Sequence, residues 1–279
     1  MPLRSGVTLA GGVMQITRSS SLRADQPPGP IPHGGSSVTK RELAILDGGS
    51  PSMRQMVARL RRLGYSVLPS KTPDHAERML RTRGSGISAA VIPVDLPTFD
   101  LGAALRFLRR LEGSGELNFV AAGQRPSREG RRLLRDAGVE LALWDPVDEH
   151  TLRFQANRAL AGSEIVRGNR ASLRAPADWP VAVWTGTRRK PARVYSLSAG
   201  GAFLSTWRPS LPQAQLRIDL PASPHPLRLQ ARVVMTNVPG NLIRDELPIG
   251  MGVRFEQTPP QVEAAILTWA NKRLAALGF

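Results

Sequence analysis

The sequence predicts an α/β unit with a parallel sheet, followed by an antiparallel β unit (a barrel or a sandwich) and one closing helix. Three observations predict it. Between Glu42 and Ala161 short apolar runs alternate with capped helical stretches, the grammar of βα repeats. After Ala161 the pattern turns to period-two strands among many prolines and glycines. Beyond Thr258 a single amphipathic stretch runs to the C-terminus.

Residues 1–39 carry Ser, Gly and Pro in excess without a sustained apolar period, so burial cannot offset the entropy of ordering them. They are expected to form a disordered tail, interrupted by an apolar patch around Val7 to Met14. The α/β unit spans 40–162, with strands expected at Leu43 to Leu46, Ser66 to Leu68, Ala89 to Ile92, Asn118 to Ala121 and Glu140 to Leu143. Ser50, Thr72, Asp100, Ser127 and Asp148 stand where a side-chain oxygen would accept from the free amides of a first helical turn, three of them just ahead of Pro51, Pro73 and Leu101. Gly64, Gly84, Gly113 and Gly138 then stop four helices. Met53, Met56, Val57 and Leu60 form one apolar stripe, and Leu101, Leu105, Leu108 and Leu111 another, so these helices are expected to cover the sheet.

Residues 163–175 read as a linker bearing arginines, and 176–279 as the second unit. There Val181 and Val183 recur at period two, as do Leu216, Ile218 and Leu220, then Leu227, Leu229, Ala231 and Val233. Thr258 with Gln261 reads as a capping box ahead of Val262, Ile266 and Trp269.

The formal charge of +16 invites a nucleic-acid reading, but it is spread over the chain: +3 in 1–40, +5 in 41–162 and +8 in 163–279. Nucleic acid is therefore not the expected partner. There is no cysteine, which excludes disulfides and thiolate chemistry. No apolar run approaches the roughly 20 residues of a membrane helix, and no signal-peptide pattern opens the chain, so the expected compartment is the cytoplasm. His33, His75, His150 and His225 are scattered without metal-ligand spacing. No nucleophile elbow, phosphate-binding loop or dinucleotide fingerprint occurs. No catalytic residue, metal or cofactor is expected.

Five βα units of this length, with Asp47 after the first strand and Trp144-Asp145-Pro146-Val147-Asp148 after the fifth, resemble a response-regulator receiver domain. That resemblance implies an acidic pair for magnesium, a phosphoryl-accepting Asp ending the third strand, a hydroxyl residue after the fourth and a Lys before the last proline. Here Asp47 is followed by Gly48 and Gly49, Pro93 falls at the acceptor position with Asp95 two residues beyond, Ala121 and Ala122 replace the hydroxyl, and Asp145 replaces the Lys. A hard cation wants more than one carboxylate, and phosphate charge needs a cation beside it. The expectation is a pseudo-receiver, kept as a protein-contact or dimerisation surface.

Arg170-Ala171-Ser172-Leu173-Arg174, then Ser196-Leu197-Ser198-Ala199-Gly200-Gly201, then Ile249-Gly250-Met251-Gly252-Val253-Arg254-Phe255 resemble the ordered signatures of PilZ domains. The resemblance implies a six-stranded antiparallel barrel with a C-terminal helix and a ligand, cyclic di-GMP. It assigns the ligand to Arg170, Arg174, Ser196, Ser198 and Gly201, with Arg167 and Arg193 near enough to reinforce the pocket. Guanidinium forks match both phosphates and the N7 and O6 acceptors of guanine. Ser196 stands where the family usually has Asp or Asn, so an acceptor of longer reach is replaced by a hydroxyl. The implied role is an effector that signals to motility or other signalling proteins; the alternative is a ligand-independent scaffold.

Overall fold

The computed structural model describes residues 7–10, 13–16, 42–46, 50–83, 86–95, 101–111, 117–161, 173–223, 226–243 and 247–278. Asp47, Gly48, Gly49, Gly84, Asp100, Gly113, Arg167 and Arg170 lie outside them, as does most of the expected tail. Within that tail, however, Val7–Ala10 (β1) and Val13–Ile16 (β2) pair antiparallel with Ala10 opposite Val13. The residues between them in sequence are Gly11 and Gly12, the kind that two-residue hairpins favour, and this signal corrects the reading of the stretch as tail.

The α/β unit runs β3 (Glu42–Ile45), α1 (Pro51–Arg62), β4 (Val67–Pro69), α2 (Pro73–Arg83), β5 (Ile87–Pro93), α3 (Leu101–Arg110), β6 (Asn118–Gly123), α4 (Arg128–Asp136), β7 (Leu141–Trp144) and α5 (Glu149–Leu160). All five sheet strands are parallel, in the order β4-β3-β5-β6-β7. This is the doubly wound order of receiver-like folds. Alternation along each strand divides the core in two. Leu43, Ile45, Val91, Val120, Leu141 and Leu143 face α1 and α5, while Ala44, Ile92, Phe119 and Ala121 face the helices of the other side through Leu80, Leu105 and Leu134. The caps act as the sequence suggests: the amides of Met53, His75, Gly130 and Thr151 donate to Ser50, Thr72, Ser127 and Asp148. Gly64 and Gly138 follow α1 and α4 with φ of 93° and 83°, which a side chain would resist.

The second unit comprises β8 (Ala175–Thr185), β9 (Arg188–Ser198), β10 (Gly201–Ser205), β11 (Gln215–Leu220), β12 (Ala222–Ser223), β13 (Leu227–Asn237), β14 (Gly250–Glu256) and α6 (Pro260–Leu277). Six of these strands close into an antiparallel barrel, ordered β10-β14-β13-β11-β8-β9, with β9 returning to β10. β12 stands outside it and pairs with β2 in parallel. The alternating residues Val181, Val183, Leu216, Ile218, Leu229 and Val233 fill the barrel, and Val262 and Ile266 of α6 join them. Trp179 and Trp269 pack with ring centroids 4.6 Å apart. The capping box does not form. Pro259 and Pro260 fix the helix start so that Pro259 occupies the cap position, and Thr258 Oγ1 is buried without a hydrogen-bond partner among the described residues.

Among the contacts that join the units, two lie at separate places on the barrel and its helix. On one side of the barrel, Phe154 of α5 meets Tyr195 and Phe203, with Met235, Leu247 and Leu274 around them. At the far end of α6, Trp144 Nε1 donates to the Gly278 carbonyl at 3.2 Å and Gln155 Nε2 to the Leu277 carbonyl at 3.3 Å.

Candidate functional site

The edge of the barrel bearing Ser196, Ser198 and Gly201 is built by β8, β9 and β10. Pro176 pairs with Ser196 and Ala175 with Leu197, so Arg174, the residue before β8, comes level with Ser198. Gly201 pairs with Ser198 across the turn that joins β9 to β10. The structure therefore brings together four of the five residues singled out in the sequence, and Arg170 lies outside the described residues.

Their surroundings modify what each can do. Ser196 and Ser198 are only 4% and 1% exposed, and Ser198 Oγ donates to the Gly201 carbonyl at 3.1 Å. A Cβ on Gly201 would overlap the Val253 carbonyl oxygen of β14. The close approach that demands glycine is thus to the neighbouring strand. Arg193 is likewise engaged: its Nε and Nη2 donate to the carboxylate and carbonyl of Asp178, both at 2.9 Å. Asp178 adopts φ of 49°, and this two-point grip holds a residue whose backbone is otherwise disfavoured.

Two bulges meet at this level. In β9 the register slips between Phe203 and Leu204, which oppose Ser196 and Val194, so Tyr195 is the extra residue. In β8 it slips between Pro176 and Trp179, which places Asp178 alongside. Tyr195 consequently packs edge-on to Phe203, at 5.9 Å between centroids, and against His150 of α5 at 5.0 Å. His150 sits 4.0 Å from Asp178. Burial pushes its imidazole below the ordinary histidine value, against the opposing pull of Asp178 and Asp148. Burial acts to raise the Asp148 carboxyl, but the Thr151 amide and hydroxyl, with His150 and Arg273 nearby, hold it below the usual carboxylate value. Sequence reading singled out neither Tyr195 nor this use of His150, because the partners are on the other unit.

Among the described residues at the carboxyl end of the parallel sheet, no carboxylate ends β5. Pro93 ends β5 in pairing with Ala122, Val94 lies where a Cβ on Gly123 would touch its Cγ2, and Asp95 is exposed beyond them. Among the described residues no group of three His, Asp or Glu side chains is placed to hold a metal ion, and no helix is long and apolar enough to cross a membrane.

No protein-family model matches the sequence, and no curated protein matches it. Among solved structures it is similar to a putative response regulator from Chloroflexus aurantiacus, at 19% identity over 43% of this chain and 98% of that one, with a TM-score of 0.38. The chemotaxis protein CheY4 of Vibrio cholerae gives 21% identity, 43% and 98% coverage and a TM-score of 0.37. The Bacillus subtilis inhibitor of motility MotI/DgrA gives 20% identity over 38% of this chain and 52% of that one, with a TM-score of 0.31.

Proposed function

We propose that this chain is a signalling adaptor whose barrel receives cyclic di-GMP at the edge formed by Arg174, Ser196, Ser198 and Gly201, with Arg170 of the preceding segment as a further ligand contact, and whose pseudo-receiver unit meets protein partners. The carrying observation is the register of β8 on β9, which sets Arg174 level with Ser198 at the point where the arginine-bearing segment enters the barrel. An anion held there would meet guanidinium forks suited to phosphate and to the N7 and O6 edge of guanine. Tyr195, which packs on α5, directly precedes Ser196, so a ligand at this edge would lie one residue from the contact between the units. That adjacency supplies the route by which occupancy would alter partner contact.

Calorimetric titration of cyclic di-GMP into the full chain tests this reading. Saturable binding is expected, weakened roughly tenfold or more by Arg174→Ala, in line with about 1–3 kcal/mol for a lost bidentate contact. A flat trace would remove the ligand from the proposal. A second reading, the ligand-independent scaffold, is favoured by the engagement of Ser198 with the Gly201 carbonyl and by the burial of Ser196. It is the one left standing by a flat trace.

A further inference from the structure

We infer that the end of the barrel opposite the Ser198 to Gly201 turn docks on an anionic lipid surface. The segment 206–214, which joins β10 to β11, is pinned to the barrel. Thr206 Oγ1 donates to the Pro191 carbonyl at 3.3 Å, the Arg208 amide donates to Thr206 Oγ1 at 3.3 Å, and the buried Ser210 gives its amide to Met251 Sδ at 3.3 Å. Lys190 Nζ donates to Ser210 Oγ, also at 3.3 Å. On either side of Ser210, Trp207 and Leu211 are 84% and 80% exposed. A single exposed leucine needs no account, but an indole and an isobutyl group held out together by a pinned loop mark an interaction surface.

The surrounding charge identifies the occupant. The β8 to β9 hairpin bears Arg188, Arg189 and Lys190, and Arg208 is exposed beside Trp207. Residues 185–191 and 206–214 contain no carboxylate. Ser205 and Asn237 both pair with Gly250, so the segment after β13, carrying the exposed Leu242 and Ile243, leaves from the same end. Trp207 and Leu211 can enter an acyl layer while Arg188, Arg189, Lys190 and Arg208 stay among headgroup phosphates, the layered chemistry of an anionic bilayer; the segment after β13 adds Arg244 but also Asp245 and Glu246. Indole is suited to that boundary, with an apolar body and one polar N–H. A nucleic acid would use the arginines and could stack a base on Trp207, but leucine and isoleucine tips offer a base nothing comparable.

The experiment is co-sedimentation of the full chain with phosphatidylcholine vesicles made with and without phosphatidylglycerol, at low and high salt. The expected result is partition onto phosphatidylglycerol vesicles only, diminished by salt. Trp207→Ser combined with Leu211→Ser should lower it roughly tenfold, as should Arg188→Gln combined with Arg189→Gln. All four side chains are exposed, and circular dichroism verifies that the variants fold. Absence of partition, or partition unaffected by Trp207→Ser with Leu211→Ser, overturns the inference. So does an oligonucleotide that binds in place of vesicles and is lost in the same variants.

Discussion

Asn157 Nδ2 donates to the phenolic oxygen of Tyr195 at 3.0 Å, joining α5 of the α/β unit to β9 of the barrel in a buried setting. The Oδ1 of the same side chain accepts from Tyr65 Oη at 2.7 Å. One amide thus links both units through two phenols. Replacing it with an apolar group of similar size, Asn157→Leu, withdraws a partner from each phenol. The expected loss is about 1–3 kcal/mol of stability, read as a lower urea midpoint. Tyr195→Phe should fall between that variant and the parent protein, and midpoints equal to the parent's for both would show that the bridge contributes nothing.

Gly201→Ala should be more damaging than its single added methyl suggests. The new Cβ would meet the backbone carbonyl of Val253, which cannot rotate away as a side chain could. Either β10 or β14 must shift, at an expected cost of about 1–3 kcal/mol or more. Thermal unfolding measures this without any ligand, and an unchanged midpoint would place the need for glycine elsewhere.

Stability should rise with pH in the region below neutrality because of His150. Burial lowers its folded-state pKa from the ordinary histidine value of about 6.5. In the window between the lowered value and 6.5 the unfolded chain binds the proton more readily, so the contribution of His150 is present above 6.5 and is lost as pH falls through the lowered value. Asp178 and Asp148 oppose this shift and Arg273 adds to it. Denaturation midpoints taken from neutral to mildly acidic pH should therefore show a steeper slope in the parent than in His150→Gln. Equal slopes would mean that His150 is not the titrating group.

Acetyl phosphate with magnesium should leave the chain unmodified, as judged by intact mass. Pro93 and Val94 occupy the strand end where an acceptor would be needed, and the exposed Asp95 lies beyond them. A phosphoryl adduct at Asp95 would overturn the pseudo-receiver reading.

What could be read from the sequence was local. Ser50, Ser127 and Asp148 cap helices within three residues of themselves, and the five parallel strands lie within two residues of their expected bounds. Period-two alternation likewise marked the residues that fill the barrel. The capping box at Thr258 was misread because Pro259 and Pro260 set the helix start by their fixed backbone angles, which outweighs a side-chain preference. The Gly11 and Gly12 pair is a hairpin signal that the surrounding Ser-, Gly- and Pro-rich composition obscures. The candidate site was legible as a set of residue types, whereas its burial was not. Tyr195 looks like any strand residue until a bulge and a distant helix assign it to an interface, and nothing local announces the burial of Ser196. Gly201 depends on Val253, 52 positions away, and no local pattern announces such a neighbour.

The path of α6 bears on how the molecule responds to a cut backbone. Its Val262 and Ile266 belong to the barrel interior, while its last turn is gripped by Trp144 and Gln155 of the α/β unit. The C-terminus has in effect returned to the first unit, so the covalent segment between Ala161 and Leu173 is not the only attachment between the two halves. A protease nick there would leave fragments that stay together through the helix and the Asn157 amide. Two such fragments, made as separate polypeptides, have the surfaces needed to reassemble as a noncovalent pair.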